Sequence, residues 1–230
     1  AGQGTKDILI LEHLQKQGKY LNYRPVDASQ GLLEIACKNA KDKNFACQGI
    51  KADLNNDSHL NEMGAILDNK TRLIMILGNT LGAFDPLKFT TKLDRIMRPQ
   101  DFLLLDGELF NNTDTLAGYD NPINRQFAFG PLSSVGLSEP KDGKLHIKTD
   151  VDDRQSGLYR IRKHFQASRD LKIILAGESI QILSETNIEM SWSYKYDRDA
   201  LIGLITSSGM QLSAEYLSID KRFLTLLVSK

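Results

Sequence analysis

The residues of this chain that could do chemistry lie where apolar runs give way to glycine or aspartate. The clearest example is the run Leu73-Ile-Met-Ile-Leu77, which ends at Gly78 and is followed by a second glycine, Gly82. Two acids, Asp27 and Asp53, end the earlier strand candidates at 20–26 and 45–52. Glycine lets a backbone approach a ligand closely, and a carboxylate accepts hydrogen bonds from hydroxyl or amino groups. Such a series indicates a site for a nucleotide-like ligand.

A glycine loop stands at the start of the chain, Ala1-Gly-Gln-Gly-Thr-Lys-Asp7. It leads into a helical pattern, so the backbone at Gly2 and Gly4 could face an anionic group, with Lys6 beside it. A nucleotide-binding loop normally follows a strand that orients it, and no strand precedes this loop. We therefore expect that the sequence lacks its natural beginning.

The two acids fit an adenosine-containing ligand. Asp27 lies about twenty residues beyond the glycine loop, the spacing at which an acid reaches ribose hydroxyls in such folds. Asp53 could accept a hydrogen bond from an adenine amino group, with Leu54 against the ring. Each has an ordinary alternative, because an aspartate at a strand end often caps a helix or a turn. The glycines could likewise serve only turns, and Lys6 could be a solvated lysine.

Strands and helices alternate around these residues. The alternation predicts an α/β fold with a doubly wound, largely parallel sheet, whose strand ends meet along one rim. The predicted strands span 20–26, 45–52, 73–77 and 102–105, the last ending at Asp106, and the predicted helices span 6–17, 30–41, 57–67 and 87–97. Ser29 is the expected N-cap of the helix 30–41, whose buried face would consist of Leu32, Leu33, Ile35, Ala36 and Ala40.

The pattern changes from residue 111 onward. The region 111–137 predicts loops with short helices, and 144–182 predicts an antiparallel sheet inserted into the parallel one, with turns at 142–143 and 176–177. A helix is predicted at 199–207, and a closing hairpin at 211–219 and 222–228. We expect a cofactor-binding part at 1–110, an inserted substrate lobe at 111–196 and a return to the sheet at 197–230.

Composition argues against several classes of function. Lys plus Arg and Asp plus Glu both number 29, so bulk charge does not favour nucleic acid or an anionic membrane as a partner. The basic stretch Arg160-Ile-Arg-Lys-His164 is expected on the exposed face of a strand. The two cysteines, Cys37 and Cys47, and the four scattered histidines predict neither a disulfide framework nor a metal site. Since we find no signal peptide or membrane-spanning run, we expect a cytoplasmic protein.

Five motifs follow one another in a fixed order. They are Gly2-Gln-Gly-Thr-Lys6, Tyr23-Arg-Pro-Val-Asp-Ala-Ser29, Leu77-Gly-Asn-Thr-Leu-Gly82, Ala117-Gly-Tyr-Asp120 and Ser193-Tyr-Lys-Tyr196. This series resembles the S-adenosylmethionine-dependent histidine-specific methyltransferase family, over nearly the whole chain. The resemblance implies a Rossmann-like class I methyltransferase sheet with an inserted, largely antiparallel substrate lobe, and N-methylation of an amino acid or a related small amine.

The resemblance also implies roles for single residues. Tyr119 and Ser193 fall on substrate-binding positions of the family, and we expect them to position the acceptor during catalysis without acting as bases. S-adenosylmethionine would be held by Gly2, Gly4 and Lys6, by Asp27 at the ribose, by Asp53 and Leu54 at the adenine, and by Gly78 and Asn79 near the methionine part.

Two expected acceptor-site positions depart from the family pattern. Ala83 stands where the family has an Asn that holds the amino-acid end of the substrate, and Ser191 stands where it has a Glu that holds the imidazole. A site loses discrimination steeply when a hydrogen-bonding group is missing. Histidine itself is therefore disfavoured as the acceptor, unless a shift of the local register brings Glu189 into the site.

Two other functions stay open on the sequence alone. A nicotinamide-dependent oxidoreductase uses the same kind of sheet and loop, but the third glycine of the dinucleotide fingerprint is missing here. A non-catalytic module that binds S-adenosylmethionine would also fit the departures at Ala83 and Ser191. Titration with S-adenosylmethionine and with NAD separates the oxidoreductase from the other two.

Overall fold

The structure is a computed structural model that describes residues 1–65 and 70–230. The helices are α1 Thr5–Lys16, α2 Gln30–Asp42, α3 Asp57–Gly64, α4 Pro86–Ile96, α5 Asn112–Tyr119, α6 Pro122–Ser134 and α7 Arg198–Ser207. The strands are β1 Asn22–Tyr23, β2 Val26–Asp27, β3 Ala46–Cys47, β4 Ile50–Lys51, β5 Leu73–Ile76, β6 Phe102–Glu108, β7 Gly143–Val151, β8 Leu158–Ala167, β9 Leu171–Leu175, β10 Glu178–Ile182, β11 Asn187–Tyr196, β12 Gln211–Leu217 and β13 Phe223–Ser229. None of the described helices is long and apolar enough to cross a membrane.

The main sheet has four strands in the order β12-β13-β6-β5. β5 runs parallel to β6, whereas β13 runs antiparallel to both of its neighbours, so the sheet is mixed. Its core is built from side chains with almost no exposed area, among them Leu103, Leu105 and Leu226. Because β5 and β6 are parallel, their carboxyl ends lie at one rim of the sheet.

The other predicted parallel strands are shorter than expected. The segments 20–26 and 45–52 contribute two-residue parallel pairs, β1 with β3 and β2 with β4. Pro25, which has no backbone N–H, separates β1 from β2. The predicted helix 57–67 begins as expected at Asp57, and its end at 66–67 lies outside the described residues.

The helix signals in the first half are largely confirmed. The predicted N-cap of α2, Ser29, accepts a hydrogen bond from the Leu32 N–H at 3.4 Å. The buried face of α2 consists of Leu33, Ala36 and Ala40. Ile35, which we expected on that face, is 42% exposed.

The second half contains an antiparallel sheet of three strands in the order β11-β8-β7, and a separate hairpin of β9 and β10. The hairpin turns at Ala176 and Gly177 as predicted. β11 was not predicted as a strand, and its polar side chains at Ser191, Ser193 and Lys195 explain why. A strand whose polar side faces a site lacks the apolar alternation that marks a half-buried strand.

β11 connects the antiparallel sheet to the rim of the main sheet. The Phe110 N–H, just after β6, donates to the Tyr196 carbonyl at 2.9 Å. β11 also packs against the 3-10 turn Thr80–Ala83, which follows β5. Residues near the end of β11 are thereby held beside the carboxyl ends of β5 and β6. The division into three parts at 110 and 196 stays a prediction.

The buried carboxylate of Asp101 joins the amino-terminal ends of β5 and β6, which lie opposite the rim. Asp101, which has no exposed surface, accepts hydrogen bonds from the Arg72 backbone N–H at 3.1 Å and from the Arg72 Nε at 2.9 Å. It also accepts one from the Arg98 backbone N–H at 2.8 Å. Burial alone would raise the pKa of the Asp101 carboxyl, but the hydrogen bonds from Arg72 and Arg98 outweigh it and lower that pKa from 3.8 to about 2.

From the lowered pKa of Asp101 we predict how the protein unfolds in acid. The stability that Asp101 contributes is fully present above pH 3.8 and is lost as the pH falls towards 2. We expect Asp101→Asn to lower the free energy of unfolding at pH 7 by about 2 kcal/mol and to flatten its pH dependence between pH 4 and pH 2. Urea unfolding across that range measures both, with the exposed Asp153→Asn as control. The assignment would be contradicted if the free energy of unfolding of Asp101→Asn fell between pH 4 and pH 2 as steeply as that of the wild type.

Candidate active site

The turn at Gly78 and Asn79 forms the first part of the site. Both residues have left-handed backbone angles, φ 78° at Gly78 and φ 56° at Asn79, which glycine and asparagine adopt most easily. Their two N–H groups donate to the Asp106 carboxylate at 2.8 Å and 2.6 Å. Asp106 lies on β6, so one carboxylate joins the ends of both parallel strands. The sequence placed this acid at a strand end but gave it no role.

The side chain of Asn79 joins three elements. Its Oδ1 accepts from the Glu108 N–H at 3.0 Å, and its Nδ2 donates to Ser193 Oγ at 3.1 Å. Gly82 makes this contact possible, because a Cβ there would collide with the Asn79 amide and lie 2.7 Å from the Tyr194 carbonyl oxygen. The second glycine of the sequence motif therefore serves close packing against β11.

A buried cluster of polar side chains forms the second part of the site. The ammonium of Lys195, which has no exposed surface, lies 2.9 Å from Glu108 Oε2. It donates to the Tyr119 hydroxyl at 2.6 Å and to Ser193 Oγ at 2.9 Å. These three contacts use all three donors of the ammonium. The structure therefore brings Tyr119 and Ser193 together, and it does so through a lysine to which the sequence gave no role.

The hydroxyl of Ser193 can act towards a ligand only as a hydrogen-bond donor. Ser193 Oγ accepts from Asn79 and from Lys195, which occupies both of its lone pairs. Its remaining capacity is the O–H, which faces the Tyr119 oxygen 3.3 Å away. A hydroxyl in this state can donate to a ligand but cannot remove a proton from one.

The nearby carboxylates are also engaged. Glu108 is 5% exposed and lies 3.2 Å from Arg222 through Oε1, in addition to its ion pair with Lys195. Asp106 accepts the two turn N–H groups and lies 3.7 Å from the Lys6 ammonium. Because both acids are held by cations and N–H groups, neither is arranged as a general base.

Among the predicted residues of the first half, Gly2 contacts Asp27, and Lys6 lies near the turn at Gly78. Asp27 accepts from the Gly2 N–H at 3.0 Å and from the Ser29 N–H at 2.9 Å. Burial alone would raise the pKa of its carboxyl, but these bonds outweigh it and lower that pKa. The Lys6 side chain is 61% exposed and lies beside Gly78.

Asp53 and Leu54 have the ordinary features of a turn. Asp53 is exposed, and its Oδ1 accepts from the Asn55 N–H at 2.8 Å. Leu54 is half-buried and packs against the main core. Their role at an adenine ring stays a prediction.

The expected acceptor positions, Ala83 and Ser191, are both exposed. Ser191 lies two residues before Ser193 on β11, directly opposite Lys163 on β8. The register does shift between Glu189 and Ser191, but Glu189 pairs with His164 and therefore lies on the other face of the sheet.

On that face the Glu189 carboxylate lies 3.1 Å from Arg162. Together with His146 and His164 it lines a polar groove, away from Ser193. Glu189 therefore does not replace the missing glutamate. Within the described part of the chain, no three His, Cys, Asp or Glu side chains are grouped so that they could hold a metal ion.

Comparisons with known proteins give one family and several solved structures. A model of the histidine-specific, S-adenosylmethionine-dependent methyltransferase family matches residues 1–230. A search among curated proteins found no match. A solved S-adenosylmethionine-dependent methyltransferase from Clostridium acetobutylicum is 10% identical, with 91% of this chain and 75% of that chain covered and a TM-score of 0.44.

Two further solved structures extend the comparison. The PH0226 protein of Pyrococcus horikoshii is 12% identical, with 99% of this chain and 79% of that chain covered and a TM-score of 0.48. A protein titled a pericyclic reaction enzyme is 11% identical, with 99% and 40% covered and a TM-score of 0.50. At such identities the likeness concerns the fold alone, which is α/β and Rossmann-like.

Proposed function

The chain belongs to the S-adenosylmethionine-dependent histidine-specific methyltransferase family, and we propose that it methylates a nitrogen atom of an amino acid or a related small amine. The observation that supports an amine acceptor is the cluster of Tyr119, Ser193 and Lys195 beside the turn at Gly78. It places oriented hydroxyl groups next to the rim on which a Rossmann-like fold binds its cofactor.

The residues at the rim fit S-adenosylmethionine. This cofactor supplies a methyl group bound to a positively charged sulfur, and it carries ribose hydroxyls, an ammonium and a carboxylate. The partly buried Asp27 carboxylate suits the ribose hydroxyls, and the exposed Lys6 ammonium suits the carboxylate. We assign Gly2, Gly4, Asp53, Leu54, Gly78 and Asn79 to the same binding site.

The protein accelerates methyl transfer by holding the acceptor in line. Such a displacement needs a neutral nitrogen lone pair directed at the methyl carbon, in a site that excludes water. Tyr119 and Ser193 hold the acceptor through hydrogen bonds, with Lys195 fixing both hydroxyls. Since Asp106 and Glu108 are already ion-paired, we assign removal of the amine proton to solvent.

The acceptor pocket is bounded by the 3-10 turn on one side and by β11 on the other. Ala83 offers no polar atom and Ser191 only a short hydroxyl, so a site for free histidine is not part of this proposal. The antiparallel strands form the substrate lobe at 111–196. We place the enzyme in the cytoplasm, consistent with its two free thiols, Cys37 and Cys47.

Replacing Tyr119 by phenylalanine tests the acceptor half of the site. The change removes one hydroxyl that contacts Lys195, Glu108 and Ser193. We expect kcat/KM for the amine to fall about tenfold and the dissociation constant for S-adenosylmethionine to change less than about twofold. Steady-state kinetics and calorimetry measure the two quantities.

Tyr20→Phe serves as the matched control, because Tyr20 is 82% exposed and lies outside the site. A large loss of cofactor affinity in Tyr119→Phe would contradict its assignment to the acceptor. Binding of the cofactor without turnover of any amine, in the wild type, would favour a non-catalytic binding module.

A further inference from the structure

Lys163 is a buried cation with no anionic partner in the described part of the chain. Its side chain lies on β8 and is 8% exposed, and its ammonium lies 5.3 Å from the centre of the Tyr119 ring. Burial lowers the pKa of this ammonium, and the nearby charge of Lys195 lowers it further. A buried ammonium without an anion raises the free energy of the folded chain. Binding of an anionic ligand at this position would therefore be favourable.

In the described part of the chain, the cluster has no carboxylate left to pair with Lys163. Glu108 is shared by Lys195 and Arg222, and Asp106 faces Lys6. Both carboxylates of the site are thus already paired, and their cations outnumber them before Lys163 is counted. The surroundings of Tyr119 are therefore electropositive.

The position of Lys163 on β8 determines how far an acceptor must extend from the rim to reach it. It lies directly opposite Ser191, two residues before Ser193 along β11. Two strand residues span about 7 Å, so the backbone of Lys163 lies on the lobe side of Ser193. An acceptor whose nitrogen is at the rim would reach Lys163 only with a group several bonds away from that nitrogen.

The neighbouring groups suit an anion as well. Ser193 is left with only an O–H to donate, and Ser191 carries no charge that would repel an anion. We propose that Lys163 determines specificity by binding a carboxylate remote from the methylated nitrogen, so that the acceptor is an acidic amino acid or a similar amino acid with a distal carboxylate. This inference rests on the proposed N-methyltransferase function.

The test uses pairs of probes that differ only in charge at the distal group. L-glutamate and L-glutamine form one pair, and L-aspartate and L-asparagine the other. Each is titrated calorimetrically into the full chain saturated with S-adenosylhomocysteine, for the wild type, Lys163→Met and Lys163→Arg. The exposed Lys148→Met, on the other face of the sheet, is the control for loss of a lysine.

We expect the wild type to bind the acidic member of at least one pair about tenfold or more tightly than the amide. Lys163→Met should remove this discrimination, whereas Lys163→Arg and Lys148→Met should retain it. The affinity for S-adenosylhomocysteine should be equal in all four proteins, which also shows that each is folded.

Equal affinities within both pairs in the wild type, binding of neither acid, or full discrimination in Lys163→Met would each overturn the inference. Those results would leave the N-methyltransferase function intact if a neutral amine is methylated in a parallel assay by mass spectrometry. Failure of the proposed function has a different signature, since S-adenosylmethionine would then give no nitrogen-methylated product from any amine.

Discussion

Replacing Lys195 by methionine will abolish most methyl transfer and lower the free energy of unfolding by about 3 kcal/mol. The lysine has no exposed surface, and its three hydrogen bonds hold Glu108, Tyr119 and Ser193 at fixed distances. Methionine fills a similar volume but leaves the buried Glu108, among the described residues, with Arg222 as its only cation, and the Arg222 side chain is 53% exposed. We expect kcat to fall by about a hundredfold, because both positioning hydroxyls lose their common anchor.

The double variant Lys195→Met with Glu108→Gln separates the two effects. Removing both charges should restore much of the stability, because Glu108 is then no longer a buried charge that has lost Lys195, but it should not restore activity. Urea unfolding and steady-state kinetics measure the two quantities, with the exposed Lys172→Met as control. Near-normal turnover in Lys195→Met would show that Tyr119 and Ser193 do not depend on it.

Replacing Asp106 by alanine should weaken binding of S-adenosylmethionine by about a hundredfold. Its carboxylate accepts both N–H groups of the left-handed turn at Gly78 and Asn79 and lies beside the Lys6 ammonium. Each N–H left without an acceptor costs about 1–3 kcal/mol, so the turn would leave the conformation that the cofactor meets.

Calorimetric titration with S-adenosylmethionine measures the effect. Asp106→Asn, which keeps one accepting oxygen, should fall between the wild type and Asp106→Ala. Asp153→Ala, at an exposed acid, should bind as the wild type does. Unchanged affinity in Asp106→Ala would remove this carboxylate, and the turn it holds, from the cofactor site.

Short-range signals in the sequence were sufficient to predict the local structure at the rim of the sheet. The apolar run before Gly78 is a strand, Ser29 caps a helix, and Asp27 lies at a strand end, because each of these features depends on a few adjacent residues. The number of parallel strands in the main sheet was overestimated, since the first four strands have two residues each and pair outside it. The closing hairpin of β12 and β13 is antiparallel, as predicted.

The polar cluster could not be predicted in the same way. Asn79 meets Ser193 across 114 positions of sequence, and Arg222 meets Glu108 across another 114. A lysine in an alternating segment is typical of an exposed strand face, and Lys163 was expected there with its basic neighbours. Alternation instead places Arg162 and His164 on one face and Lys163 on the buried one. Only the fold shows which lysines have carboxylate partners.

The most direct test of the central claim is to follow an isotopic label from the cofactor to the acceptor. The wild type is incubated with S-adenosylmethionine that carries a trideuterated methyl group and with a panel of amino acids and small amines, and the products are located by mass spectrometry. We predict that the label appears on a nitrogen atom of an amine, with one S-adenosylhomocysteine formed for each methyl group transferred. Label found only on oxygen, sulfur or carbon, or cofactor bound without any transfer, would contradict the proposed N-methyltransferase.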